Sequence, residues 1–107
     1  SLDTDGFMSL GPVMFNGSLC SPVIQWMKVT AIRGKVTINY PKPFANKILF
    51  GFAFEREPTG WSATQATTWG FDSLNSTLTQ ATVYVRNIIN GGVIAESANG
   101  MIFTLGY

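Results

Sequence analysis

An alternation of apolar and polar residues with a period of two constrains the fold of this chain more than any other feature. In Ile48–Glu55 the three phenylalanines Phe50, Phe52 and Phe54 occupy every second position, which predicts a strand with these rings on its core face. The same period marks three further segments, Lys35–Tyr40, Thr79–Asn87 and Met101–Tyr107, and Val23–Ile32 is interpreted as a fifth, less regular strand. No stretch of ten or more residues has the pattern of an amphipathic helix.

Turn-forming residues separate these segments. Arg33-Gly34, Asn90-Gly91-Gly92 and Asn99-Gly100 contain residues that tolerate a positive φ, as tight hairpin turns require. Pro41 and Pro43 close a strand, because proline cannot donate to a central ladder. Short strands joined by such turns predict an all-β protein, an antiparallel β-sandwich or barrel, and residues 1–107 are interpreted as one domain.

The chain is poor in charge. Charged residues make up 12% of the sequence and apolar residues 46%, whereas an average domain has about 25% charged residues. So much neutral surface favours burial against other subunits. The seven basic residues are scattered, and the net charge is +1, so no nucleic acid is expected as a partner. No run of 18 apolar residues predicts a membrane span.

The residues needed for common catalytic chemistry are missing from the sequence. Without histidine, neither a Ser-His-Asp nor a Cys-His site is possible, and Cys20 is interpreted as a small apolar residue of a chain assembled in a reducing cytoplasm. Glu55 and Glu57 lie two apart beside Pro58, which indicates a solvated strand end and not the facing carboxylates of a glycosidase. The fragment Asp3-Thr4-Asp5-Gly6 lacks the later ligands of a calcium loop. We therefore expect no enzyme, no metal and no cofactor.

The segment Thr59–Trp69 is the best candidate for a binding surface. It is uncharged, rich in hydroxyl and amide groups, and contains Trp61 and Trp69. Aromatic rings stack on the apolar face of a sugar while short polar groups hold its hydroxyls, so this composition suits a glycan. The alternative is that one or both tryptophans fill the core, and Trp69 before Gly70 fits a buried strand residue.

Two further candidates lie on the polar side of a predicted strand. In Thr79–Asn87 the apolar residues face one way, which leaves Tyr84 and Arg86 on the opposite side, as a binding surface, a subunit contact or an ordinary solvated face. Trp26, within an apolar strand, is interpreted as a core residue or as an anchor between subunits.

The order of several short motifs resembles the C-terminal domain of phage tail fibre proteins, including those of prophages and phage-tail-like bacteriocins. The motifs are Gly6-Phe7, Ile24-Gln25-Trp26, the corner Tyr40-Pro41-Lys42-Pro43-Phe44-Ala45-Asn46 and the ending Leu105-Gly106-Tyr107. Met27 replaces a glycine that the family has after its tryptophan, and the loops 55–71 and 87–99 carry no family motif.

The resemblance implies a β-sandwich that assembles as a homotrimer at the distal tip of a virion fibre. It implies a receptor-binding function, with a host surface glycan, lipopolysaccharide or outer-membrane protein as the partner. One alternative is a structural domain that aligns and caps the trimer without touching the receptor. Another is an enzyme that degrades surface polysaccharide, which the missing histidines and unpaired carboxylates disfavour. The expected receptor-binding residues are Trp61, Trp69, Tyr84 and Arg86.

Overall fold

A computed structural model describes residues 5–89, 91–94 and 96–107, except for the side chains of Phe15 and Ile94. Its secondary structure consists of one short 3-10 turn, Pro58–Gly60, and ten strands: β1 Gly6–Ser9, β2 Val13–Phe15, β3 Ser18–Cys20, β4 Val23–Ile32, β5 Lys35–Asn39, β6 Ile48–Glu55, β7 Thr67–Phe71, β8 Gln80–Asn87, β9 Val93–Ile94 and β10 Ser97–Gly106. No helix among these residues is long and apolar enough to cross a membrane.

The strands form two facing antiparallel layers, which confirms the predicted sandwich. In the first layer β10 pairs with both β4 and β6, and β1 extends the edge beside β4. In the second layer β8 lies between β5 and β7 and also pairs with the short β9. The layers are joined where β4 turns into β5, at the single pair Ile32–Lys35. The strands β2 and β3 form a separate hairpin.

Two tight turns depend on left-handed backbone. Arg33 and Gly34 have φ values of 53° and 77° between β4 and β5, as their sequence predicted. Asn16 and Gly17, at 49° and 79°, make the equivalent turn between β2 and β3, which the sequence analysis missed. Of the predicted turn Asn90-Gly91-Gly92, Gly91 and Gly92 have positive φ, whereas Asn90 lies outside the described residues. Asp3 and Thr4 of the proposed calcium-like fragment also lie outside them.

The core fills the space between the two layers. From the second layer, β8 contributes its alternate residues Ala81, Val83 and Val85, all fully buried, as the sequence predicted. Met27 and Ile102 of the first layer are fully buried opposite them. Half-buried Trp69 and Phe71 of β7 pack against this cluster. Burial of this apolar cluster supplies the main driving force for the fold.

The prediction that Phe50, Phe52 and Phe54 form a core face is wrong. These rings point outward and are 54%, 50% and 43% exposed. The inward positions of β6 are taken by small residues such as Gly51, because Phe71 of the second layer occupies the space there. A Cβ atom on Gly51 would lie 2.8 Å from the Phe71 ring. The alternation in β6 therefore grouped correctly the residues that share one face of the strand. The prediction that this face points into the core was wrong.

The outward rings of β6 belong to a larger apolar surface, which we call the aromatic face. It consists of six side chains on adjacent strands, Phe50, Phe52 and Phe54 of β6 and Met101, Phe103 and Leu105 of β10. The rings of Phe52 and Phe103 stack with centroids 5.6 Å apart. Trp26 of β4 lies opposite Phe103 on the same side, so it is not between the layers. Its position is consistent with the second interpretation, an anchor between subunits.

The predicted turn at Asn99-Gly100 is also wrong, since both residues lie inside β10. Gly100 has no positive φ and serves a different purpose. A Cβ atom there would lie 2.3 Å from the Trp69 ring and 2.7 Å from the backbone oxygen of Phe54. The glycine therefore gives the ring of Trp69 the space to pack against the first layer.

Two of the short sequence motifs meet at a buried amide. Gln25 has no exposed area, and its side chain binds the backbone of Lys42 in the proline-rich corner. Its Oε1 accepts a hydrogen bond from the Lys42 N–H at 2.9 Å, and its Nε2 donates to the Lys42 carbonyl. Phe44 of the same corner is buried against Tyr40, with ring centroids 4.9 Å apart. The amide thus fixes the corner to the first layer.

The buried hydroxyl of Tyr40 gives a testable pH dependence. It has no hydrogen-bond partner among the described residues, and burial raises the pKa of Tyr40 to about 12. An unfolded tyrosine ionises near pH 10, so above that pH ionisation favours the unfolded state: the domain keeps its full stability below about pH 10 and loses stability as the pH rises towards 12. Tyr40→Phe keeps the ring contact with Phe44 and should abolish this loss. Urea unfolding at pH 8 and pH 11 measures it.

The same variant tests whether the hydroxyl is unpaired. At pH 8 we expect Tyr40→Phe to be as stable as the wild type or more stable, because an unsatisfied buried hydroxyl costs about 1–3 kcal/mol. A loss of more than about 1 kcal/mol at pH 8 would mean that the hydroxyl has a bonding partner in solution.

Candidate functional site

A cleft of about 580 Å³ lies where strand ends from both layers meet. The end of β6, the 3-10 turn and the start of β7 form one part of its wall, and the end of β8 and the start of β10 form the other. It is lined by hydroxyl, amide and carboxylate side chains and one large aromatic ring: Glu55, Glu57, Thr59, Gly60, Trp61, Gln65, Thr67, Asn87, Glu96, Ser97, Ala98 and Asn99. The cleft thus combines polar groups with one apolar platform.

Trp61 lies in this cleft with its side chain 46% exposed. The loop that carries Trp61 is held by hydrogen bonds between its own residues. The Trp61 N–H donates to the carbonyl of Pro58 at 2.9 Å, and the Gln65 side chain donates to the carbonyl of Gly60 at 2.8 Å. A bridge between Ser62 and Gln65 closes the loop. The exposed indole therefore sits on an internally bonded turn.

Trp69 supports the cleft from behind. Its ring lies between the layers against Gly100, and its Nε1–H donates to Thr67 Oγ1 at 3.0 Å and to Glu55 Oε1 at 3.4 Å. Thr67 Oγ1 in turn donates to Glu55 Oε1 at 2.6 Å. Both acceptors line the cleft, so the buried part of Trp69 fixes two side chains that a ligand would meet.

Three carboxylates give the cleft its electrostatic character. Glu55, Glu57 and Glu96 line it, and none of the described lysines and arginines does. Within the described residues, no three acidic or cysteine side chains are close enough to hold a metal ion. Carboxylates accept hydrogen bonds from hydroxyl or ammonium groups and repel phosphates. The arrangement suits a neutral or amino-bearing ligand better than an anionic one.

The carboxylate of Glu55 is already occupied by donors from the protein. Oε1 accepts bonds from Thr67 and Trp69, and Oε2 accepts the backbone N–H of Glu57 at 3.2 Å. A carboxylate with both oxygens engaged is a fixed acceptor. It is poorly placed to give a proton to a leaving group, which needs a free O–H aimed at that group.

Tyr84 and Arg86 lie elsewhere, exposed on the outer side of the second layer. Tyr84 pairs across the strands with Lys35 and Gly70, and the Lys35 ammonium lies 5.6 Å from the centroid of its ring. Arg86 is opposite Thr68. Neither residue lines the cleft with Trp61, so the four candidate residues are divided between two surfaces.

Other cleft residues were not singled out by the sequence analysis. Glu96, Ser97 and Asn99 reach the cleft because β10 pairs with β6, and Asn87 reaches it at the end of β8. Asn87 Oδ1 accepts a bond from the backbone N–H of Ala66 at 3.3 Å, which ties β8 to the Trp61 loop. These contributions depend on long-range pairing, and no local sequence signal marks them.

A second cleft of about 480 Å³ lies beside the β2–β3 hairpin. Ser18, Leu19 and Cys20 of the hairpin form one wall, and the corner around Phe44 and the terminal Tyr107 form the other. Cys20 is a half-buried free thiol.

Comparison with known proteins identifies the fold. No protein-family model and no curated protein matches the sequence. Among solved structures, an N-truncated R2-type pyocin tail fibre matches with a TM-score of 0.70 at 19% identity, covering all of this chain and 36% of that one. A C-terminal fragment of the R2 pyocin fibre of P. aeruginosa matches with a TM-score of 0.69 at 19% identity, covering all of this chain and 25% of that one.

The chain therefore spans only 36% and 25% of the lengths of these two structures. The expected resemblance to tail fibres is confirmed at the level of the fold: this chain folds as part of the R2-type pyocin tail fibre does.

Proposed function

We propose that this chain is the receptor-binding domain at the distal tip of a tail fibre, on a phage or a phage-tail-like bacteriocin. It attaches the particle to a host surface glycan, lipopolysaccharide or outer-membrane protein, and it acts as a homotrimer assembled in the host cytoplasm. The observation that carries the proposal is the half-exposed Trp61 in a polar cleft, on a fold also found in a pyocin tail fibre. Three copies of a weak site would raise avidity without new contacts.

The chemistry of the cleft favours a neutral glycan as the ligand. The indole of Trp61 offers an apolar face to a sugar ring, and Gln65, Thr67 and Asn87 offer donors and acceptors to its hydroxyls. The phosphates of lipopolysaccharide would meet three carboxylates, so its neutral sugars are the better match. Trp69 acts by fixing Glu55 and Thr67. Tyr84 and Arg86 form a second contact surface, suited to a protein receptor.

Replacement of Trp61 tests this proposal. Loss of an aromatic anchor typically costs about 2 kcal/mol or more, which is about 30-fold in affinity per site. We expect Trp61→Ala to reduce binding of the purified domain to host cells by at least that factor. Trp61→Tyr, which keeps a ring, should retain part of the binding. Leu74→Ala, at a side chain that is 89% exposed and outside the cleft, should retain all of it.

Three results would contradict the proposal at different levels. Full binding by a folded Trp61→Ala domain would remove this residue from the site. Failure of the wild-type domain to compete with intact particles for host cells would remove the receptor-binding function itself. Release of reducing ends from host polysaccharide would contradict the proposed absence of catalysis.

A structural domain that aligns and caps the fibre is the second candidate function. The observation that favours it is the aromatic face, a half-exposed apolar sheet surface of the kind that subunits bury. A cap of this kind should not compete with intact particles, which separates the two functions in the competition experiment.

A further inference from the structure

We infer that the aromatic face is the surface through which copies of this chain associate. The inference rests on the proposed homotrimer and deepens it, because it assigns the contact to one side of one layer. That side is the outer surface of β10 and β6, continued on β4 by Ile24 and Trp26, which lie opposite Leu105 and Phe103.

The exposed rings of the aromatic face are already ordered. Phe52, Phe54 and Phe103 stack on one another, with centroids 5.6–6.2 Å apart and interplanar angles of 11–26°. Phe52 and Phe54 are nevertheless 50% and 43% exposed. Rings arranged in this way form a flat, preorganised apolar surface. Association can bury them without first ordering them, which lowers the entropic cost of binding.

The aromatic face also has the size of a contact between subunits. A phenylalanine presents on the order of 150–250 Å², so three that are about half exposed contribute about 300 Å². The half-buried side chains of Met101, Phe103 and Leu105 and of the adjoining β4 residues enlarge this area. Soluble monomers rarely expose contiguous apolar patches beyond about 300–600 Å². A stable interface needs about 800 Å² per partner, and the aromatic face with its margins is of that order.

The chemistry of the face points to a second copy of the chain as its partner. The aromatic face carries no charged side chain, and Lys28, opposite Met101, borders it. A partner must therefore present a flat apolar surface of similar size. Among the described residues only this face offers three exposed phenylalanines on neighbouring positions of one sheet. A second copy of the chain thus supplies the complement: three copies that each turn this face towards a common threefold axis bury the same patch on every subunit in one shared apolar centre.

Polar substitutions on the face test the inference. The mass of the purified domain in solution should be three times the 11.7 kDa of one chain. We expect the double variant Phe52→Gln/Phe54→Gln to raise the dissociation constant of the assembly at least 100-fold, measured by sedimentation equilibrium. Leu74→Gln removes an equally apolar, more exposed side chain outside the face and should change the constant less than twofold. Circular dichroism verifies that each variant keeps its strand content.

A photo-cross-linking measurement covers the case in which the double variant does not fold. A benzoyl-phenylalanine at position 52 keeps an aromatic ring and should give cross-linked oligomers whose adducts map to β6 or β10 of a second copy. The same probe at position 74 should give none. Cross-links that map outside β6 and β10, or a dissociation constant that the double variant does not change, would show that the aromatic face is not the interface. The proposed homotrimer would still stand in that case. A monomeric wild-type domain would overturn both, and would mean that another segment or partner covers the rings.

Discussion

Gly100→Ala should destabilise the domain by about 3 kcal/mol or more. The added methyl group would lie 2.3 Å from the Trp69 ring and 2.7 Å from the backbone oxygen of Phe54. The ring cannot yield freely, since its Nε1–H is bonded to Thr67 and Glu55, and a backbone oxygen within a paired strand cannot yield without disturbing the sheet. Overpacking of a filled core commonly costs about 1–3 kcal/mol, and a clash on two sides belongs at or above the upper end.

This loss is a large fraction of the stability of a domain of this size, which is about 5–15 kcal/mol. The melting temperature should fall by more than about 12 °C, because 1 kcal/mol corresponds to about 4–8 °C in a domain of about 100 residues. Differential scanning calorimetry measures the shift. Displacement of Trp69 would also move Thr67 and Glu55, so the cleft with Trp61 should lose its geometry together with the core.

Gly70→Ala is the matched control. Gly70 is also a strand glycine, it has no positive φ, and a Cβ atom there would meet nothing within 4 Å. We expect its stability to stay within about 1 kcal/mol of the wild type, with a gain favoured by the reduced entropy of the unfolded chain. Equal stability of the two variants would mean that Trp69 does not pack against Gly100 and that the layers are farther apart than described.

The role of Gly100 illustrates what the sequence could not predict. The dipeptide Asn99-Gly100 has the composition of a turn, because both residues tolerate positive φ. Here the glycine is needed for the absence of a side chain, and the reason lies thirty-one residues earlier, in Trp69. Similarly, alternation in β6 grouped the phenylalanines correctly, but only Phe71 in the facing layer determines that Gly51 turns inward.

Local patterns were sufficient for the long strands. The bounds of β4 and β6, Val23–Ile32 and Ile48–Glu55, were predicted to the residue, and β8 was predicted with its buried side. The short strands β2 and β9 have too few residues for a period to be visible. The Trp61 segment was found through its composition. Its carboxylate neighbour Glu96 was not, because only strand pairing brings the two into one cleft.

Gln25→Leu should destabilise the domain by about 2–4 kcal/mol. The amide is fully buried in β4 and makes two bonds to the backbone of Lys42, one as acceptor and one as donor. Leucine is similar in size but can make neither bond. The N–H and the carbonyl of Lys42 would then face an apolar side chain, and each unsatisfied group costs about 1–3 kcal/mol when it stays away from water. Urea unfolding at pH 7 measures the difference in free energy.

The Gln25→Leu substitution should also loosen the proline-rich corner that the Gln25 amide holds. Residues 41–47 are held to the first layer by Gln25, by the burial of Phe44 and by backbone bonds from Asn46 and Lys47 to the carbonyl of Tyr107. With the amide gone, amide hydrogen exchange should accelerate at Lys42 and its neighbours before it does in β8, because local opening of the corner becomes cheaper than global unfolding.

Gln80→Leu provides the comparison at an exposed glutamine. Its Nε2 donates to Asn39 at the surface, where water replaces the lost bond, so the change should stay within about 0.5 kcal/mol. A Gln25→Leu domain as stable as this control would show that the Lys42 groups find other partners when the amide is absent. The meeting of the Ile24-Gln25-Trp26 strand with the proline-rich corner would then be a consequence of the fold and not one of its causes.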